Sequence, residues 1–199
     1  MTVPTPVLEA AVSDPVRPDA ELWLLIAVDD HQAFTELFER HARTIWNYAY
    51  RLTASWSAAD DLLATTFLTA WRRRREVRLI RDSALPWLYT VTSNVCQGER
   101  RRLGRFLRIV PKLAAADSAP DHAERLAEDS AARERLKRVL AAIERLPRGE
   151  REAVKVCLLG GTSAADAAEL FGISEPSVRS RLSRARARLQ EITQEACDD

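Results

Sequence analysis

The stretch Gly172-Ile173-Ser174-Glu175-Pro176-Ser177-Val178-Arg179-Ser180-Arg181-Leu182-Ser183-Arg184-Ala185-Arg186-Ala187-Arg188-Leu189 decides the fold of this 199-residue chain. At about 100° per residue, Val178, Leu182, Ala185 and Leu189 fall in one narrow apolar stripe. Ser177, Ser180, Arg181, Arg184 and Arg188 project from the other side, and Arg179 and Arg186 flank the stripe. Ser174 offers a cap, and Pro176 is tolerated because the first turn has no intrahelical amide bond to lose. Upstream, Thr162 or Ser163 caps a short helix carrying Ala167, Ala168, Leu170 and Phe171, and Gly172 supplies the turn. A short helix, a glycine turn and a capped second helix make the helix-turn-helix pattern, whose second helix enters the major groove. There arginine bridges guanine O6 and N7, and serine serves bases or phosphates. The plain alternative is an arginine-rich surface helix.

Working outward, Arg148–Leu159 reads as a helix stopped by Gly160-Gly161, and a charged helix runs from near Ala123 to before Pro147. Residues 111–132, rich in Ala, Asp, Ser and Pro at their start, read as a linker. Before them, Phe34, Leu37, Phe38, His41, Ile45, Tyr48, Ala49 and Leu52 mark one face of a long helix. Ser57 offers the cap of a second helix, with Asp60 and Asp61 in its first turn and Leu62, Leu63, Phe67, Ala70 and Trp71 inside. Residues 76–84 form a polar connector. Pro86 suits the first turn of a third helix, with Leu85, Leu88, Val91 and Val95 inward and Arg100, Arg101, Arg102, Arg105 and Arg108 beyond. Residues 1–18 hold four of the nine prolines and no periodicity, and read as a flexible tail. The expectation is an all-α chain of two helical domains, 19–110 and 133–199, joined by a flexible linker, the second domain a helix-turn-helix.

Composition supports this. Hydrophobic residues are 46% with only 6 glycines, enough for a packed helical core and too few turn residues for a strand-rich sandwich. The net charge of +1 hides segregation. Residues 71–112 hold eleven Arg and one Lys against three acids, and residues 172–190 hold five Arg against Glu175. Acidic stretches at 1–33, 113–135 and 191–199 offset them. Two basic blocks on amphipathic helices point to two polyanion-binding surfaces.

Two further strings carry a family resemblance. In the second lobe, Leu146-Pro147-Arg148-Gly149-Glu150-Arg151-Glu152-Ala153-Val154, the Gly-Ile-Ser turn and the Val-Arg-Ser-Arg-Leu-x-Arg-Ala-Arg-x-x-Leu helix resemble region 4 of extracytoplasmic-function (ECF) sigma factors of the sigma-70 type. In the first, Phe34-x-x-Leu37-Phe38-x-x-His41, Ala59-Asp60-Asp61-Leu62-Leu63, Thr66-Phe67-Leu68-x-Ala70-Trp71, Pro86-Trp87-Leu88-Tyr89, Asn94 and Arg100-Arg101-Arg102 resemble region 2. The sequence departs from the family at Ala64-Thr65, Thr92-Ser93 and Gly98.

The resemblance implies an alternative sigma factor that recognises −35 and −10 promoter elements and helps open the DNA. It assigns Ser174, Ser177, Arg179, Ser180, Arg181, Arg184 and Arg188 to the −35 element. It assigns Asn94, Arg100, Arg101 and Trp87 to the −10 element, although a tryptophan at position 87 is more often a core residue of this lobe than a stacking platform. Asp60, Asp61 and Leu62 would bind core RNA polymerase. The implied partners are the clamp helices of the polymerase's largest subunit, the flap of the second largest, promoter DNA and an anti-sigma factor. Two alternatives stay open: a dimeric helix-turn-helix regulator, and a sigma-like decoy without melting activity, which the departures would suit.

No apolar run approaches the roughly 20 residues that span a bilayer, and no signal-peptide pattern is visible. Cys96, Cys157 and Cys197 are too dispersed for a disulfide framework, and His31, His41 and His122 have no metal-ligand spacing. No nucleophile motif or phosphate loop appears. The expectation is a cytoplasmic, non-enzymatic protein without metal or cofactor and without direct membrane insertion.

Overall fold

The computed structural model describes residues 17–80, 82–109 and 126–198. The expected tail before residue 17, and the linker up to residue 125, lie outside them. Among the described residues the chain is helical, with one isolated antiparallel bridge, Ile80 to Ser83.

The first lobe is built of α1 (Asp19–Ala27), α2 (His31–Thr53), α3 (Trp56–Arg72) and α4 (Leu85–Ile109). The Asp30 carboxylate caps α2 by accepting from the amides of Gln32 at 2.8 Å and Ala33 at 3.0 Å. Ala33, Leu37, His41, Ile45, Tyr48, Ala49 and Leu52 then form its buried face. Ser55, not Ser57, caps α3, because the chain turns at Ala54 in the left-handed region and Ser55 is the first extended residue after it. The core joins these faces to Leu22, Trp23 and Ile26 of α1 and to Leu88, Tyr89 and Cys96 of α4. Thr66 and Thr92 are fully buried and meet at 3.0 Å between α3 and α4. Thr92 donates to the Leu88 carbonyl, so Thr66 is the donor between the two hydroxyls. The Thr92 departure from the family pattern is therefore part of a satisfied polar pair.

The second lobe comprises α5 (Leu126–Glu144), α6 (Arg148–Ala153), a π-helical turn (Val154–Leu159), α7 (Ala164–Phe171) and α8 (Glu175–Asp198). Helix resumes at Leu126, inside the span read as linker. The single helix expected over 148–159 divides at Ala153, and the π turn closes with the Gly160 amide donating to the Lys155 carbonyl at 3.0 Å. Ser163 caps α7, accepting from the Asp166 amide at 3.1 Å. Gly172 ends it at φ +63°, and Ile173 and Gly172 return their amides to the carbonyls of Ala168 and Glu169. This left-handed turn aims α8 across α7.

Two small apolar clusters hold α8. Val178 packs with Val156, Ala167 and Ala168, and Ala185 packs with Ile143, Leu146 and Val154. Leu159 packs against both the first lobe's core and the second lobe's.

Candidate nucleic-acid interface

The inward stripe of α8 is the expected one, and its burial determines what faces outward. Val178 and Ala185 are fully buried, with Leu182 and Leu189 at the margin. Ser177, Ser180, Arg181 and Arg184 consequently line one shallow, open depression together with Pro176. Ser174 lies just before the helix, exposed, and its hydroxyl meets that of Ser177 at 2.8 Å. Arg179 is exposed on the flank and donates to Glu175 one turn back at 2.6 Å. Arg184 and Arg188 turn their Nε atoms towards Glu150 of α6, at 3.5 and 3.2 Å. Arg181 is half-buried against Gly149, where a Cβ would lie 3.2 Å from the guanidinium carbon. Composition and periodicity do not reveal this use of Gly149 and Glu150, since α6 reaches α8 only through the tertiary fold.

The first lobe presents the second basic block. Asn94 and Arg101 are exposed on α4, and Arg101 donates to Gln97 at 2.9 Å. Trp87 is half-buried and sits edge-on to Trp23, with centroids 5.5 Å apart, packed against the core. Arg100 turns away from Asn94's exposed surface, one amino group donating to the Leu52 carbonyl at 2.6 Å and the other to Glu144. The structure therefore brings Asn94 and Arg101 to a free surface and engages Arg100 elsewhere.

The connector before α4 is tied at both ends. Arg74 lies over the Trp71 ring at 4.3 Å, and both Arg74 and Arg75 pair with Asp29. At the other end the Ala84 amide donates to Asp19, which also accepts from His41 Nε2 and Arg40, each at 2.8 Å. Asp19 is 7% exposed. Burial pushes its carboxyl up, but the His41, Ala84 and Arg40 hydrogen bonds prevail and hold it at about 2.

Asp60 and Asp61 are exposed on α3, and Asp60 accepts from the Trp46 indole at 2.7 Å. Leu62, expected to bind polymerase beside them, is 4% exposed and belongs to the core. It is one residue further round the helix, so it points inward and supports the acidic face by packing. The exposed face continues through Thr65 to Leu68. A feature the sequence reading missed adjoins it: Trp46, Tyr50 and Trp56 cluster with centroids 4.8 to 5.7 Å apart, Trp46 and Tyr50 stacked and Trp56 tilted against both, and Trp56 is 56% exposed. The i, i+4 spacing of Trp46 and Tyr50 was the available signal.

Among the described residues no cluster of His, Cys, Asp and Glu could hold a metal. His31 stacks on Trp71. Burial pushes the thiols of Cys96 and Cys157 up, away from the reactive thiolate. Among the described residues no helix is long and apolar enough to cross a membrane.

Comparison with known proteins finds a family match within each lobe. Residues 37–106 match Sigma-70 region 2, and residues 136–189 match Sigma-70, region 4. The ECF RNA polymerase sigma factor SigM of Mycobacterium tuberculosis is 36% identical over 178 residues, covering 88% of this chain and 85% of that protein. SigL, an ECF RNA polymerase sigma factor from the same species, is 34% identical over 167 residues, covering 78% and 88%. Among solved structures, Bartonella quintana RpoE in complex with the anti-sigma factor NepR aligns with a TM-score of 0.56 at 25% identity, covering 82% of this chain and 98% of that one. CnrH in complex with the cytosolic domain of CnrY aligns at 0.59 and 24% identity, over 89% and 97%, a likeness of fold.

Proposed function

The chain belongs to the ECF group of sigma-70 factors, and from that membership we propose how its two lobes divide the work of promoter recognition. It is an alternative sigma factor, a non-enzymatic subunit that directs RNA polymerase to promoters. In this reading α8 lies in the major groove of the −35 element, with Ser177, Ser180, Arg181 and Arg184 towards the bases and Arg188 towards phosphate. The observation that carries it is the depression lined by those first four residues, left open because Val178 and Ala185 bury the opposite face.

Asn94 and Arg101 of α4, with the connector before it, meet the −10 element. An exposed amide suits the reading of an extruded base, and the cation suits the adjoining phosphates. Asp60 and Asp61 dock on the clamp helices of the largest polymerase subunit, and the second lobe meets the flap of the second largest. The aligned B. quintana sigma factor is held by an anti-sigma factor, and a partner of that class would occlude the same faces here. The site of action is the cytoplasm, with the polymerase.

Run-off transcription with purified core polymerase on a promoter library tests the reading. A shared −35 and −10 sequence among the transcribed templates is the expected result. Core binding without any specific transcript would overturn it. Arg184→Ala weakens −35 recognition by about 1–3 kcal/mol if its contact is bidentate. Unchanged preference across −35 variants would refute that role.

A further inference from the structure

Glu150 is the least expected charge beside the recognition helix. A carboxylate near a DNA-binding surface repels phosphate, yet this one is 6% exposed and lies beneath two arginines of α8. Its two oxygens are divided between them: Oε1 lies 3.5 Å from Arg184 Nε and Oε2 lies 3.2 Å from Arg188 Nε. Oε2 has no hydrogen-bond partner, so the attraction to Arg188 is of charge rather than of aligned donor and acceptor. Burying a carboxylate on those terms opposes folding unless the cations compensate it.

We propose that Glu150 is a positioning residue for sequence recognition by α8, holding Arg184 and Arg188 by their Nε edges. The proposal rests on the reading of α8 as the −35 helix. A guanidinium has five donors in a rigid fork. With Nε the atom nearest the carboxylate, and side chains 58% and 52% exposed, each arginine keeps its two terminal amino groups for a ligand in the groove. Those amino groups are the pair that spans guanine O6 and N7, or two phosphate oxygens. Arg184 and Arg188 stand one turn apart, so a single carboxylate between them fixes both forks in one register along the groove. The same negative charge lowers the attraction of the helix for phosphate alone. Glu150 therefore favours the right sequence over any sequence in two ways, by aiming the forks and by weakening contacts that carry no information.

The test uses the full chain with core polymerase on promoters that differ only in the −35 or only in the −10 element, at two salt concentrations. Glu150→Gln keeps the shape and removes the charge. Its expected effect is roughly a fivefold to tenfold loss of discrimination among −35 variants, the size set by one loosened bidentate contact. Discrimination among −10 variants stays as in the wild type. Binding to a scrambled promoter increases, with a steeper salt dependence. In an Arg184→Ala background, Glu150→Gln produces less further loss of −35 discrimination than it does alone.

A wild-type protein indifferent to −35 sequence would overturn the recognition reading and this assignment with it. A discriminating wild type matched by an equally discriminating Glu150→Gln would overturn this assignment alone. So would an equal loss across −35 and −10 variants, the mark of a merely structural role. Should Glu150→Gln melt below the assay temperature, Arg184→Lys in a folded protein decides: it keeps the charge and loses the fork, and unaltered discrimination refutes the proposal.

Discussion

Arg100 of α4 and Glu144 at the end of α5 form an ion pair that joins the two lobes. The same carboxylate accepts from Lys155 Nζ at 2.8 Å and from Arg151 at 3.0 Å, so one side chain collects three cations from both sides of the junction. Lys155 is 2% exposed, and Glu144 is its charged partner. Arg100, one of the residues expected at the −10 DNA, is thus held at the junction in this conformation.

Removing the hub leaves the buried lysine uncompensated. Glu144→Ala is expected to destabilise the chain by about 3 kcal/mol, since breaking a buried pair from one side strands the other charge. Urea denaturation measures the loss. The double variant Glu144→Leu with Lys155→Met is expected to recover most of it, because two apolar side chains carry no desolvation cost. A double variant as unstable as the single would contradict this account.

Gly160, which ends the π turn of the second lobe, lies against Val156 of its own turn and against Tyr89 of the first lobe. A Cβ there would lie 2.6 Å from the Val156 carbonyl oxygen and 3.1 Å from the Tyr89 ring. The backbone contact cannot yield as a flexible side chain would. Gly160→Ala is expected to cost about 1–3 kcal/mol and to separate the lobes. Denaturant melts give the first effect, and fluorescence energy transfer between labels on α4 and α7 gives the second. An unchanged transfer efficiency would disprove the junction's dependence on this glycine.

Gly98 gives the opposite expectation. It lies in the helical interior of α4, exposed, with nothing within 4 Å of a Cβ placed there. Gly98→Ala is therefore expected to stabilise the first lobe by about 0.5–1 kcal/mol, by restricting the unfolded chain and raising helix propensity. The midpoint of thermal unfolding reports it, and a decrease would count against the open environment described.

Asp19 has a folded-state value of about 2 against 3.8 for an ordinary aspartate. The depressed value means that its stabilising contribution is complete above about pH 4 and disappears as pH falls towards 2. The difference amounts to roughly 2 kcal/mol. Asp19→Asn is expected to lower stability at neutral pH and to flatten the acid limb of a stability–pH curve. An acid limb identical to the wild type would place the acid sensitivity in other groups.

Sequence alone determined the helical class, both lobes and the outward face of α8. Those features are periodic: an apolar stripe at helical spacing dictates which side is buried before any partner helix is known. It predicted Asp60 and Asp61 in the first turn of α3 behind a Ser57 cap; with Ser55 as the cap and the helix beginning at Trp56, the two acids stand in the second turn. Only tertiary structure decided the roles that depend on which helix lies opposite. Leu62, adjacent to two exposed acids, belongs to the core. Arg100 and Arg101 are neighbours in sequence, but one meets Glu144 across the lobe junction and the other stays free of it. Arg184 and Arg188 look alike on a helical projection, and Glu150 is the charge that holds them both. Periodicity reports the direction in which a side chain leaves its own helix; an ion pair or a close backbone approach depends on a second element, distant in sequence, arriving at the same place.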